Sequence, residues 1–275
     1  MYQFLRFPNW KFKAVTLSYD DDVVSDRKLI EILDKYGLKC TFNLNSERFA
    51  KESGSGWLTK DEATDLLKNS PHEVAIHGAK HLSLAEVSSE VAMRDVITDR
   101  DNLEQQFGII VKGMAYANGS FNDTVVSILK NCGIKYARTV IPTNNFDIPT
   151  DWLRLMPTCH HDAKNMNELT DEFLNFKEGD NYIYSPRLFY LWGHSYEFND
   201  NDNWEIIENF AKKVGNRDDI WYCTNGEVYD YVKAFEKLEF SVDGKIIKNP
   251  TDTDICLCYY GKNILIKAGE IVINS

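Results

Sequence analysis

Lys13–Tyr36, KAVTLSYDDDVVSDRKLIEILDKY, reads as a strand, three consecutive carboxylates and a helix. Lys13–Ser18 is a short apolar run of strand type. Asp26–Tyr36 sets Leu29, Ile30, Ile32 and Leu33 at helical spacing, with Gly37 as C-cap. Asp20, Asp21 and Asp22 fall where strand gives way to helix. In parallel α/β barrels that edge of the sheet carries the site.

Working outward, the unit recurs. Strands are expected over 39–44, 73–77, 111–117, 135–139, 152–156, 188–193 and 220–224. Helices are expected over 59–68, 83–107, 122–132, 165–176, 203–214 and 227–237, the second opening on a capping box of Ser83 and Glu86. Such alternation implies an α/β fold with parallel strands and helices outside. After Leu238 the texture becomes β-rich, broken by the turn signals Asp243-Gly244 and Gly261-Lys262. The expected organisation is a barrel over 1–238 and a small antiparallel β appendage over 239–275. The appendage is too small to stand alone and packs on the barrel.

Composition narrows the function. A formal net charge of −11 argues against a nucleic-acid partner, which normally needs a basic stripe. No apolar run approaches the roughly 20 residues of a membrane helix. The stretch Met1–Pro8 has neither a basic leader nor a small-residue cleavage site, so a cytoplasmic location is expected. Six scattered cysteines, in apolar contexts, are expected as buried free thiols. Oligomeric state is not legible.

His77-Gly78-Ala79-Lys80-His81 sets two imidazoles at i and i+4, which share a face if one helical turn joins them. Alone, the pair could be two surface histidines, and the acidic triplet a solvated turn or an N-cap. Together they supply three metal ligands and a spare carboxylate, a set that suits a metal-dependent hydrolase.

The order Thr16–Asp22, His77-x-x-x-His81 and, late in the chain, Leu191-Trp192-Gly193-His194 resembles the polysaccharide deacetylase family, carbohydrate esterase family 4, with the NodB-homology fold. The family motifs are T-F-D-D-G, H-[ST]-x-x-H, a third near R-P-P-Y-G and a last of L-x-H type. Met114–Gly119 corresponds loosely to the third, and the resemblance spans roughly residues 13–235. It implies a distorted (β/α)7-type barrel and removal of acetyl from an N- or O-acetylated carbohydrate. Asp21, His77 and His81 would hold a divalent ion, most often zinc, though such donors also accept cobalt, nickel or manganese. Asp20 would be the general base for a metal-bound water and His194 the general acid. The backbone N–H of Asn118 would be the oxyanion donor.

The chain departs from the family pattern at three positions. Asp22 replaces a glycine, tolerably if φ is positive there. Gly78 replaces Ser or Thr. Ala115 replaces the arginine that orients the base, for which Arg138 or Arg154 is the expected substitute; Asp151 is the candidate for the acidic partner of His194. Tyr116 and Trp192 are expected beside the substrate. His160 and His161, a doublet after a strand end, are expected as pocket wall in a supporting role rather than as ligands. Two alternatives stand beside carbohydrate deacetylation. One keeps fold and metal but acts on a small amide such as a cyclic amide or imide. The other is a catalytically weak carbohydrate-binding relic.

Overall fold

The computed structural model describes residues 3–273; Met1, Tyr2, Asn274 and Ser275, the extremities of the expected leaderless N-terminus and of the appendage, lie outside them. In chain order the elements are β1 (Gln3–Arg6), β2 (Lys13–Asp20), α1 (Asp26–Lys35), β3 (Cys40–Leu44), α2 (Lys60–Leu67), β4 (Glu73–Ile76), α3 (Ser89–Phe107) and β5 (Gly113–Ala115). There follow α4 (Asp123–Asn131), β6 (Tyr136–Arg138), β7 (Cys159–His160), α5 (Met166–Asn175), β8 (Arg187–Gly193), α6 (Tyr196–Asp200) and α7 (Glu205–Val214). The last are β9 (Ile220–Tyr222), α8 (Asn225–Glu236), β10 (Glu239–Phe240), β11 (Ile246–Lys248), β12 (Ile255–Tyr259), β13 (Lys262–Ile266) and β14 (Ile271–Ile273).

Seven parallel strands run in the order β6-β5-β4-β3-β2-β8-β7, curled as a distorted barrel, and β9 adds to β2. Every residue of β2 is buried, as expected of a strand covered on both faces. Its first half lies between β8 and β9 and its second between β8 and β3, which makes it the centre of the fold. Helices α1, α3, α4, α5 and α7 supply the main core outside the sheet, with Leu29, Leu33, Val96, Leu103, Leu129, Phe173 and Phe210.

Three differences from the sequence reading bear most on the architecture. The segment around Trp152 is not a strand: Trp152–Arg154 is a 3-10 turn capped by Asp151, and only Leu155 bridges to Arg138. That bridge lets residues 155–160 cross from the β6 side to β8, where Cys159 pairs with Leu191. The long helix begins at Ser89, not Ser83. Val87 is extended, Ser88 supplies the cap, and Leu84–Glu86 forms a separate 3-10 turn. The third difference is β1, not foreseen, which pairs antiparallel with β12 from Gln3↔Tyr259 to Arg6↔Cys256.

The C-terminal β-rich segment forms two small antiparallel sheets, β1-β12-β13 and β10-β11-β14. A second core joins them to the barrel: Leu5, Phe7, Ile255, Leu257 and Ile266 pack with Leu188, Tyr190 and Val228. All six cysteines are free and buried.

Candidate active site

Asp20 is the last residue of β2, His77 follows β4, Arg138 ends β6 and His194 follows β8. Parallel strands leave their C-terminal ends on one rim, so residues up to 174 positions apart converge. His81 Nε2 lies 3.4 Å and His77 Nε2 3.8 Å from Asp21 Oδ1. His194 Nε2 stands 3.8 Å from Asp20 Oδ2 and 3.9 Å from Asp21 Oδ2. The five residues named from sequence therefore share one cluster.

The local backbone explains how. Asp21 (φ 83°), Asp22 (φ 44°) and His81 (φ 57°) are left-handed, a conformation costly for non-glycine residues and held by the surrounding structure. At Asp22 the Asn45 N–H donates to Oδ1 (3.0 Å), anchoring the turn that turns Asp21 inward. Gly78 (φ 85°) begins the tight return to His81; a Cβ on it would fall 2.7 Å from Asp95 Oδ2.

The donor set fits a divalent cation. Asp21 Oδ1 is buried without a hydrogen-bond partner, a costly state unless something else faces it. His77 Nδ1 donates to the Ala115 carbonyl at 2.8 Å, which leaves the Nε2 lone pair towards Asp21. Burial pushes His77 and His81 below the usual histidine range, so both are neutral imidazoles.

Asp20 is held on both oxygens. Asn43 Nδ2 donates to Oδ1 at 2.8 Å, and the Arg138 guanidinium donates to Oδ2. Burial alone would raise Asp20, but Arg138, His77 and His194 outweigh it and hold the carboxyl below the usual range. Arg138 is fully buried and lies 4.3 Å over the Trp192 ring. It stands where Ala115 cannot, while Arg154 turns outward to Asp123 and Asp151. Arg138, from β6, thus sets a cation against Asp20.

His194 has a partner the sequence reading missed. Glu197, three residues on, accepts the His194 backbone N–H at 3.1 Å and has Oε2 3.2 Å from Nδ1. Burial would lower His194, but Glu197, Asp20 and Asp21 raise it. Asp151 has no part in this; it caps Leu153 and pairs with Arg154.

Two expected pocket residues are placed otherwise. Tyr116 is 1% exposed, donates to the Leu153 carbonyl at 2.7 Å and stacks on Phe121, so it is core. Trp192 is buried beneath Arg138 and His160 and supports them rather than facing a ligand. The Asn118 side chain donates to Ser83 Oγ (3.1 Å); the expected oxyanion role is that of its backbone N–H, which this bond does not involve. His160 and His161 lie beside the cluster, around Glu197. Next to Asp21 opens a cleft of about 310 Å3 lined by Arg48, Trp57 and Tyr196, residues that no periodicity marked.

Comparison with known proteins bears on family and fold. Residues 9–137 match the family model described as polysaccharide deacetylase. Those residues, just under half of the chain, resemble that family. Among solved structures, a Mycobacterium smegmatis protein assigned to the polysaccharide deacetylases aligns at 17% identity over 84% of this chain and 94% of its own, TM-score 0.58. A CE4 family pseudoenzyme from Bacillus anthracis aligns at 18% identity over 82% and 68%, TM-score 0.51. A family 4 acetyl xylan esterase from Clostridium thermocellum, in complex with a cobalt ion, aligns at 16% over 79% and 91%, TM-score 0.50. These likenesses show the fold. Two further deacetylases match over half of this chain, which spans 62% and 44% of theirs. No curated protein matches the sequence.

Proposed function

We propose that the chain is a metal-dependent hydrolase that removes acetyl groups from N- or O-acetylated carbohydrate. The observation that carries this is the convergence of Asp20, Asp21, His77, His81 and His194 on one rim, with Asp20 locked by Arg138. Asp21, His77 and His81 hold the divalent ion. Bound there, the ion supplies Lewis acidity, making water more acidic and a carbonyl more electrophilic.

This chain's residues do the rest. Asp20, ionised at neutral pH by its Arg138 contact, takes a proton at Oδ2, the oxygen nearest His194 Nε2. His194, raised by Glu197 and the two aspartates, keeps a proton on Nε2 for the departing amine or alcohol. The exposed face of Trp57 beside Asp21 suits stacking against a sugar ring, and Arg48 suits its hydroxyls.

The test is acetate release from chito-oligosaccharides, acetylated xylan and small N-acetyl sugars, before and after chelation. Release that chelation abolishes and added metal restores supports the reading. Hydrolysis confined to cyclic amides, or inactivity across the panel with metal bound, overturns it.

A further inference from the structure

A second set of metal-type donors converges beside the first. His160 closes β7, His161 follows it, and Glu197 sits in the first turn of α6. His160 Nε2 lies 3.2 Å and His161 Nε2 3.3 Å from Glu197 Oε2. In a tetrahedral site with metal–nitrogen distances of about 2.0–2.1 Å, neighbouring ligand atoms stand about 3.3–3.4 Å apart. The observed spacing is that of ligands around a shared centre.

Both imidazoles are oriented from behind. Asp162 binds His160 at Nδ1, which places the proton there and turns the Nε2 lone pair to Glu197. A carboxylate behind a histidine is the usual support for a metal ligand. His161 Nδ1 has the Tyr19 hydroxyl at 3.3 Å, and its ring is clamped by Phe198, centroids 4.1 Å apart. The His161 ring also needs glycine at 193: a Cβ there would fall 2.0 Å from Nδ1. His161 is 2% exposed, so its Nε2, 3.3 Å from Glu197 Oε2, has little access to water.

At Glu197, Oε2 is faced by more nitrogens than it can accept from. Its Oε2 has one directed donor, the His194 backbone N–H. His194 Nδ1, 3.2 Å away, is a further nitrogen facing the same oxygen. An oxygen with two lone pairs cannot accept from all these nitrogens at once; a cation held between Glu197 Oε2 and the Nε2 atoms of His160 and His161 would give both imidazole lone pairs a partner.

We propose that His160, His161 and Glu197 form a second divalent-cation site, separate from Asp21–His77–His81 and adjoining it through His194. Two imidazoles and one carboxylate select a borderline first-row ion such as zinc, cobalt or nickel over magnesium or calcium.

The test uses the full chain, stripped with chelator and titrated with Co2+, with bound metal counted by elemental analysis and followed by visible absorption. Wild type is expected to bind two equivalents. His77→Ala/His81→Ala is expected to keep one, and His160→Ala/His161→Ala to lose one. Glu197→Gln, which preserves shape, is expected to weaken one of the two equivalents at least tenfold. A single equivalent in wild type that His77→Ala/His81→Ala abolishes overturns the proposal, as does unchanged two-site binding in Glu197→Gln. A single equivalent lost only in His160→Ala/His161→Ala supports this site and instead overturns the assignment of the first.

Discussion

Asp20 and Arg138 form a buried pair, 2% and 0% exposed, and the chemistry proposed for the site depends on it. Replacing Arg138 with Met leaves burial to act on Asp20 without its counter-charge, so the carboxyl becomes harder to ionise. Because the base must be ionised to work, the acid limb of the kcat/KM–pH profile should move to higher pH. Stability should fall by about 3–5 kcal/mol, the usual cost of stranding one partner of a buried pair. An unmoved acid limb would remove Arg138 from this role. Asp20→Asn keeps the shape, so metal content by elemental analysis should stay unchanged while turnover drops by about 100-fold or more. At this scale the sequence was most legible where the chemistry is local: Asp20-Asp21 and His77-x-x-x-His81 carry their spacing with them. Arg138 could be named only as one of two, since which arginine reaches inward depends on β6 lying at the rim. Glu197 had a readable signal, a carboxylate three residues after His194 at a helix start, that went unread. Trp57 had none; it lies in an irregular loop.

Elements were legible wherever periodicity and caps agreed. Thr224 and Glu227 form a capping box at the start of α8: the Glu227 N–H donates to Thr224 Oγ1 at 3.2 Å and the Thr224 N–H to Glu227 Oε2 at 2.9 Å. Thr224→Ala should cost about 1 kcal/mol in denaturant unfolding and leave metal content and turnover unaltered. A loss of metal in that variant would mean that α8 does more than close the barrel. Where two serines competed, pattern misled: Ser83 matched the capping box, yet extended Val87 separates it from α3 and Ser88 takes the cap. Strand β1 was missed because Gln3–Arg6 is short and its partner, β12, lies at the other end of the chain.

On the scale of the whole molecule, buried acids behind the site make stability depend on pH. Burial pushes the Asp99 carboxyl up to about 7, although the Ser46 and His77 N–H groups donate to it. Between the unfolded value of 3.8 and about 7, the folded chain retains a proton that the unfolded chain has released. Asp99 therefore favours folding at low pH, and its contribution declines as pH climbs through that window. With chelator present, the melting temperature of Asp99→Asn should vary less between pH 5 and 8 than that of wild type; an identical slope would refute this. The second core makes a different claim. A chain ending at Leu238 would uncover Leu5, Phe7, Leu188 and Tyr190, so it should lack a cooperative melting transition. A well-behaved 1–238 fragment would show that the β-rich tail is dispensable. The pairing of Gln3 with Tyr259 also bears on how the protein is made. At about 5–20 residues per second, the ribosome supplies the partner of the first strand only after tens of seconds. Until then, the newborn chain carries a naked hydrogen-bonding edge, so translation that stalls before Ile255 should release a species that chaperones hold rather than a finished fold.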